Sequence, residues 1–359
     1  MSSGMIWELE QTGGVQMKNQ VHRQPDFRNI LKVLNREVPD RPTLFEFFMN
    51  MNLYREAAGD PPPEDAPDEE QLAYLARAYA ACGYDYVNAV GCGLNFHAGA
   101  KTRKETISLN EHAWIHDWES FYAYPWPDAK ACDYSRLEKV APLLPEGMKI
   151  MLSGPNGVLE NVIDIVGYDN LCMMLYDEPE LAEAIFEKVG SALVDYYTIG
   201  AQYESVGMIM CNDDWGFNTQ TLLSPEMLRK YVFPWHKKSV EAAHKYGKPA
   251  ILHSCGYMLD IMDDIIDDMK YDGRHSYEDN IVPVEEAYRL WGDRIAILGG
   301  LDVDFLIRSS DEEIVQRAKG MLEASRERGG YALGSGNSIP EYIPNGKYFA
   351  MTSAINLVE

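Results

Sequence analysis

The chain has 359 residues, of which 46% are hydrophobic and 25% charged, the proportions of a soluble globular protein. Its 56 acidic residues against 32 basic ones give a net charge of −24, which disfavours nucleic acid and anionic membrane surfaces as partners. No apolar run is long enough to span a bilayer, and six scattered cysteines without a disulfide-framework spacing indicate reduced thiols in a cytoplasmic protein.

Apolar segments with the character of strands alternate with helical segments along the chain. The predicted strands are Thr43–Phe48, Tyr84–Ala89, Lys149–Ser153, Met208–Asn212, Ala250–His253, Met269–Asp272, Ile295–Gly299 and Tyr331–Gly334. The predicted helices are Glu70–Cys82, Glu180–Ser205, Pro225–Tyr246, Met258–Asp268, Val284–Trp291, Glu312–Arg328 and one from Gly346 onward. Eight β-then-α units predict a single α/β domain, a (β/α)₈ TIM-type barrel. An open, doubly wound sheet is the alternative, but no glycine-rich nucleotide loop follows the first strand.

Two regions interrupt this alternation. Residues 1–24 are expected to form a poorly ordered N-terminal extension, which leaves 25–359 as the barrel. Residues 91–147 are irregular, and we expect them to form an insertion over one end of the barrel that caps the pocket mouth.

Reactive side chains cluster after the strand that ends at His253. His253 and Cys255 are two residues apart, so on an extended backbone both can point into the mouth of the barrel. An imidazole and a thiolate at this spacing are half of a zinc site, since a catalytic zinc takes three protein ligands and an open position. The alternative is that His253 is a general acid or base and that Cys255 only fills space.

Asp213 and Asp214 end the preceding strand, and adjacent strand residues point to opposite sides. One of these carboxylates is therefore expected to face the pocket, whereas the other caps a helix or accepts from backbone amides. Trp215 and Phe217 follow and would supply an apolar wall for a ring-shaped ligand.

The ends of other predicted strands also carry polar groups. These are Glu46 and Asn50 after the first strand, His275 after the sixth, Asp302 after a Gly-Gly turn, and Ser335 and Asn337 around Gly336. In βα-repeating folds chemistry collects at the carboxyl ends of strands, so their convergence predicts an enzyme pocket.

Six motifs together resemble the uroporphyrinogen decarboxylase superfamily, a barrel family that also includes methyltransferases acting on corrinoid cofactors. They are SGPNGV, DDWGFNTQTLLSPEML, FPWHKK, GKPAILHSCG, GDRIAILGGLDVDFL and GYALGSGNSIPEYIP, and the resemblance covers the chain from about Pro25 onward.

The resemblance is weaker to the true decarboxylases than to the methyltransferases. The decarboxylases carry an arginine after the first strand that grips substrate carboxylates, and Asn50 stands at that position here. A highly acidic protein without this arginine would repel an octacarboxylate substrate.

The methyltransferase branch implies a zinc ion held by a His-x-Cys pair and a later cysteine. His253 and Cys255 match the first two positions, but Ser335 occupies the third, and serine is a poor zinc ligand. A carboxylate from Asp213 or Asp214 is the alternative third ligand.

The resemblance therefore implies a corrinoid-dependent methyltransferase that moves a methyl group from a small O- or N-methylated compound to a corrinoid partner protein. His253, Asp213 or Asp214, and Glu46 would handle the leaving-group proton, with His275 as a further candidate. The residues expected to contact substrate are Asn50, Trp215, Phe217, Tyr257, Asp302, Ser335 and Asn337. A porphyrin-type decarboxylase and a non-catalytic ligand-binding barrel are the alternatives, and homodimerisation stays open.

Overall fold

The computed structural model describes residues 23–96 and 114–358. Most of the predicted N-terminal extension, and residues 97–113 of the predicted insertion, lie outside the described residues. No helix in the described ranges is both long and apolar enough to cross a membrane.

Within the described ranges, seven parallel strands form one curved sheet in which each strand pairs with its neighbour in sequence. They are β1 (Tyr86–Val90), β2 (Lys149–Ser153), β3 (Val206–Asn212), β4 (Ala250–His253), β5 (Gly273–His275), β6 (Ala296–Leu298) and β7 (Tyr331–Ala332). The strands are almost wholly buried, as parallel strands covered on both faces must be. This confirms the α/β class and a TIM-like arrangement of the sheet.

Among the described residues, three helices precede β1, one follows β7, and the others lie between strands in sequence. The helices are α1 (Arg28–Leu34), α2 (Met51–Ala58), α3 (Asp68–Ala81), α4 (Trp118–Ala123), α5 (Ser135–Lys139), α6 (Val158–Val166), α7 (Tyr168–Asp177), α8 (Pro179–Gly200), α9 (Pro225–Tyr231), α10 (Phe233–Lys245), α11 (Val284–Trp291), α12 (Val303–Arg308), α13 (Asp311–Ser325) and α14 (Asn345–Ser353). Short 3₁₀ turns and a π-helical turn, Asp264–Asp268, complete the secondary structure.

The first predicted strand, Thr43–Phe48, is reduced to a parallel bridge between Leu44 and Leu333. The Phe45 amide donates to the Leu333 carbonyl at 2.8 Å, and the Leu333 amide donates to the Thr43 carbonyl at 2.8 Å. On its other side this segment reaches β1 through a side chain, because the Glu46 amide donates to the Tyr86 hydroxyl. The segment thus places Glu46 beside the carboxyl end of β7.

Besides this strand, three predicted elements differ from the structure. The helix predicted over Met258–Asp268 is a 3₁₀ turn at Leu259–Ile261 followed by the π-helical turn at Asp264–Asp268. The strand predicted at Met269–Asp272 is wrong, because the π-helical turn ends there and Lys270 adopts a left-handed φ of 61°, so the strand begins at Gly273. The helix predicted over Pro225–Tyr246 is two helices that meet at Val232. Pro234 lies in the first turn of α10, where its missing N–H is tolerated.

The described end of the predicted insertion packs along the outside of the sheet against α8. The Ser205 hydroxyl donates to the Leu137 carbonyl at 2.7 Å, and the Tyr134 and Tyr196 rings are 5.9 Å apart. Residues 129–143 therefore occupy the helical layer between β1 and β2.

Candidate functional site

Two histidines meet at the carboxyl ends of β4 and β5. The register of this parallel pair places His253 opposite His275, so both side chains lie on the same face of the sheet. Their Nδ1 atoms are 2.8 Å apart, and the two residues are 6% and 0% exposed. The correction to the β5 boundary explains this pairing, because His275 is a strand residue and not a loop residue.

The hydrogen bonds around this pair define which ring nitrogen of each histidine carries a proton. His275 Nε2 lies 3.2 Å from the Ser335 carbonyl oxygen, which can only accept, so Nε2 is the protonated nitrogen of His275. His275 Nδ1 then accepts from Nδ1–H of His253. The lone pair of His253 is consequently on Nε2.

Both rings are held in the neutral form. Burial, with the neighbouring ring and Arg274 as lesser causes, holds the pKa of His253 well below its usual range. Burial also lowers the pKa of His275 to about 3. The Nε2 lone pair of His253 is therefore available over the physiological pH range.

Ser335 is positioned by Glu46. The Ser335 amide and hydroxyl donate to the two carboxyl oxygens of Glu46, at 2.7 and 2.8 Å. Gly334 permits this approach, since a Cβ there would collide with the carbonyl oxygen of Phe45. Glu46 is 0% exposed, and burial raises its pKa to about 8. Glu46 thus fixes Ser335, and the Ser335 carbonyl in turn accepts from His275.

Cys255 lies directly in front of the His253 lone pair. Its Sγ is 3.7 Å from His253 Nε2, and it accepts from the Asn337 amide at 3.3 Å and the Ser276 hydroxyl at 3.5 Å. The Cys255 amide donates to Asp214 at 2.9 Å. Burial and then the Asp214 carboxylate raise the pKa of the Cys255 thiol, so its thiolate needs a cation for stability.

Asp214, His253 and Cys255 fit a metal ion. One oxygen, nitrogen or sulfur atom from each lies within 4.8 Å of the others. A tetrahedral zinc with the usual bond lengths separates its nitrogen and sulfur ligands by about 3.6 Å, close to the distance between His253 Nε2 and Cys255 Sγ. The His275 hydrogen bond on the far nitrogen of His253 is the support that metal-bound histidines commonly have. Three protein ligands are the number of a catalytic zinc site.

Asp213 points to the opposite side from Asp214, as strand alternation predicts. Its carboxylate accepts from the amides of Leu159 and Glu160 at 3.0 and 2.9 Å, at the first turn of α6. Its Oδ2 also lies 2.9 Å from His236 Nε2, and His236 Nδ1 is 2.7 Å from the Tyr271 hydroxyl. The carboxylate of Asp213 is thus occupied within the fold.

Three residues predicted to contact substrate also have partners within the protein. Asn50 caps α2 by accepting from the Leu53 amide at 2.9 Å. Asp302 caps α12 by accepting from the amides of Asp304 and Phe305. Trp215 is 0% exposed and packs in the core. These positions follow from burial and capping, which a strand-end rule does not distinguish from ligand contact.

Phe217 and Tyr257, also predicted to contact substrate, lie together on the loops after β3 and β4. The Tyr257 amide donates to the Phe217 carbonyl at 2.8 Å, and the Phe217 side chain is exposed. Gly216 and Gly256 allow the two loops to touch, since a Cβ on either would collide with the other loop's backbone. Among the predicted substrate residues, Asn337 contacts the cluster of Asp214, His253 and Cys255 directly, because its side-chain amide donates to Cys255 Sγ at 3.3 Å.

A cavity of about 960 Å³ adjoins this cluster, lined by the segments that follow β5, β6 and β7. Glu278 lines this cavity and accepts at 3.2 Å from the amide of Gly256, the residue after Cys255. The sequence reasoning did not single out Glu278, Ser276 or His236. The strand-end rule would have found Ser276 and Glu278 had β5 been placed at Gly273–His275.

The comparisons with known proteins agree with this architecture. The family model described as uroporphyrinogen decarboxylase (URO-D) matches residues 151–357, so the chain belongs to that family. The uroporphyrinogen decarboxylase of Anaeromyxobacter sp. (strain Fw109-5) is 27% identical over 194 residues, which are 53% of this chain and 52% of that protein. That of Anaeromyxobacter dehalogenans (strain 2CP-C) is 29% identical over 198 residues, with the same coverage. The chain thus matches about half the length of these curated relatives.

Solved structures show the same fold over most of the chain. A methyltransferase from Methanosarcina mazei has a TM-score of 0.70 at 19% identity, covering 92% of this chain and 98% of that one. A B12-independent methionine synthase from Shewanella sp. W3-18-1 has a TM-score of 0.50 at 11% identity, covering 88% and 97%. At these identities the similarity concerns the fold.

Proposed function

We propose that this chain is a metal-dependent methyltransferase that moves a methyl group from a small O- or N-methylated compound to the cobalt of a corrinoid partner protein. The observation that carries the proposal is the cluster of Asp214, His253 and Cys255, with the His253 lone pair directed at the cysteine sulfur. Membership of the family and the fold shared with a methyltransferase support the same assignment.

In this reaction the carbon–oxygen or carbon–nitrogen bond of the donor would break, and the cob(I)amide of the partner protein would supply the electron pair for its new bond to the methyl carbon. The leaving heteroatom would keep the electron pair of the broken bond and take up a proton from solvent. An alkoxide, phenolate or amide anion leaves reluctantly, so the departing atom needs polarisation or protonation. A zinc ion held by Asp214, His253 and Cys255 would supply Lewis acidity at that point. We also propose that the sheet closes into a barrel and that the partner protein docks over its mouth.

The other residues of the site set the orientation and the protonation state of these ligands. The Ser335 carbonyl accepts from His275 Nε2–H, and His275 Nδ1 accepts from His253 Nδ1–H. The lone pair of His253 is therefore on Nε2 and faces Cys255. Asn337 and Ser276 donate to the Cys255 sulfur, which stabilises the thiolate over the thiol. Each of these contacts favours the protonation state that a metal ligand requires.

A uroporphyrinogen decarboxylase is the second candidate, because the curated relatives carry that name. That substrate is a polyanion, and the site offers little to bind it. Asn50 is a helix cap here, and Arg308, the one cationic residue among those lining the adjoining cavity, donates to Asp304 at 2.7 Å. The acidic surroundings therefore disfavour this polyanionic substrate.

The test is to incubate the metal-loaded protein with cob(I)alamin and a panel of aryl methyl ethers and methylated amines. Formation of methylcobalamin with at least one donor, lost in Cys255→Ala, is the expected result. Methylcobalamin formation with none, together with decarboxylation of uroporphyrinogen in the presence of a chelator, would establish the second candidate instead.

A further inference from the structure

Asn212 lies beside two of the three proposed metal ligands. It is the last residue of β3, and the register of the parallel pair places it opposite His253. Because side chains alternate along an extended chain, Asn212 points to the same side as Asp214 and away from Asp213, which contacts the first turn of α6. The carboxamide of Asn212 therefore lies on the inner face of the sheet, the face that carries His253 and His275.

The side-chain oxygen of Asn212 has no hydrogen-bond partner among the residues that the structure describes. The residue is 8% exposed, its Oδ1 is buried, and no described residue accepts from its Nδ2. Asn29 shows the usual arrangement, since it is 2% exposed, accepts from the Asp40 amide at 2.9 Å and donates to the Asp26 carbonyl at 3.3 Å. A buried polar group without partners costs free energy, and a ligand that bonds to the Asn212 carboxamide would remove that cost.

A second polar group on the inner face is the Ser153 hydroxyl, at the end of β2. Leu152 faces outward against α8, because a Cβ on Gly200 would lie 2.2 Å from Leu152 Cδ2, so the Ser153 side chain points inward. Ser153 pairs with Met210, two residues before Asn212, which makes Ser153 and Asn212 diagonal neighbours on adjacent strands. The Ser153 hydroxyl forms no hydrogen bond with a described residue.

The strand β1 adds a further carboxamide to the same face. Asn88 pairs with Met151, two residues before Ser153, and its buried Oδ1 has no partner within the described ranges. The Phe47 ring lies beside the metal ligands, with its centroid 4.7 Å from that of the His253 ring. This part of the site thus combines uncharged hydrogen-bonding groups with an aromatic ring.

We propose that Asn212 binds the methyl donor beside the metal centre, and that this donor is a neutral methyl ether with a hydroxyl on the neighbouring carbon. In such a compound the hydroxyl can donate to Oδ1, and the ether oxygen can accept from Nδ2 while it keeps a lone pair for a zinc ion. A carboxylate would leave Oδ1 without a hydrogen, and a quaternary ammonium ion has no N–H to donate. The inference rests on the proposed function for the reaction of this ligand, whereas the binding contact does not depend on it.

The first experiment is calorimetric titration of the metal-loaded, full-length protein with 2-methoxyphenol and with methoxybenzene, which lacks the hydroxyl. 2-Methoxyphenol should bind at least about tenfold more tightly, as expected when a buried, unpartnered group gains a hydrogen bond. Asn212→Ala should reduce this preference to less than about threefold. Asn29→Ala, which removes a buried carboxamide from α1, should retain it.

The second experiment separates a binding role from a structural one. Asn212→Ala removes a carboxamide that has no described partner, so its melting temperature should stay within about 1 °C of that of the unaltered protein. Asn29→Ala breaks two hydrogen bonds and should lower the melting temperature by at least about 2 °C. Differential scanning calorimetry measures both.

Equal binding of the two compounds, binding of neither at millimolar concentration, or an unchanged preference in Asn212→Ala would overturn the inference. So would unfolding of Asn212→Ala, or a fall in its melting temperature as large as that of Asn29→Ala, because either would show that the carboxamide supports the fold. Methyl transfer that is equally fast in Asn212→Ala and in the unaltered protein would overturn only this inference. Binding that depends on the hydroxyl and on Asn212, without methyl transfer from any compound, would contradict only the proposed function.

Discussion

The Nδ1 atoms of His253 and His275 lie 2.8 Å apart, and this contact determines what His253 can do. Because the single N–H of neutral His275, on Nε2, donates to the Ser335 carbonyl, the proton between the two rings is the one on Nδ1 of His253. The lone pair of His253 is thereby presented to Cys255. The pair thus orients His253, the metal ligand of the proposed function, and His275 acts through His253.

We predict that His275→Phe lowers metal affinity about tenfold to a hundredfold, because it removes the acceptor that orients His253. Competition with a chromogenic chelator measures this affinity. His116→Phe is the control, since the His116 side chain is 69% exposed and distant in the chain from the cluster. Unchanged metal affinity in His275→Phe would mean that the ring pair has no supporting role.

We predict opposite effects for asparagine substitutions of the two adjacent aspartates. Asp213→Asn should lower the free energy of unfolding by about 1–3 kcal/mol, because it weakens a buried contact to His236, and should leave metal binding intact. Asp214→Asn should lose metal with little effect on the free energy of unfolding. Urea denaturation and metal analysis of both variants check this. The reverse pattern would mean that Asp213 is the metal ligand and that Asp214 has the structural role.

We predict that Ser335→Ala retains a full complement of metal. The carbonyl that holds His275 belongs to the backbone, and the hydroxyl binds Glu46 and not the cluster. Metal analysis of the dialysed variant is the measurement. Loss of metal in this variant would show that the hydroxyl is itself a ligand, as the family position of Ser335 suggests.

We predict that Glu46 makes stability fall as the pH rises between about 4.5 and 8. Burial raises the pKa of Glu46 from 4.5 in the unfolded chain to about 8, so the folded state binds more protons in this window. The contribution is present in full below the unfolded pKa and is lost as the pH rises through the folded one. Its slope is at most about 1.4 kcal/mol per pH unit.

Glu46→Gln isolates this contribution from the titration of the rest of the acidic surface. A glutamine can keep the bond from the Ser335 amide through its side-chain oxygen, and its NH₂ group can donate to the Ser335 hydroxyl, which donates to Glu46 in the structure. The difference in melting temperature between the variant and the unaltered protein should therefore widen in favour of the variant from pH 5 to pH 8. A difference that does not change with pH would show that Glu46 titrates normally.

Much of the fold was predictable because parallel strands buried on both faces appear as short apolar runs. The boundaries of β2 and β4 match the prediction, and so does the proximity of His253 and Cys255. The opposed directions of Asp213 and Asp214 follow from strand alternation. The sequence alone did not distinguish which of the two faces the cluster, because that depends on where α6 and His236 lie.

The rest of the site was not predictable because it depends on contacts between distant segments. Because of the π-helical turn before it, β5 begins at Gly273, four residues after the predicted start at Met269. His275 is therefore a strand residue and lies opposite His253. The resemblance implied a ligand position at Ser335, but its hydroxyl donates to Glu46, 289 residues away. No local pattern in either segment encodes that pairing.

The most direct test of the central claim is the metal content of the purified, dialysed protein and of His253→Ala, measured by inductively coupled plasma mass spectrometry. We predict about one zinc ion per chain in the unaltered protein, as a three-ligand catalytic site holds, and almost none in the variant. Absence of metal from the unaltered protein after zinc loading, or equal metal in both, would contradict the assignment of Asp214, His253 and Cys255 as a metal centre.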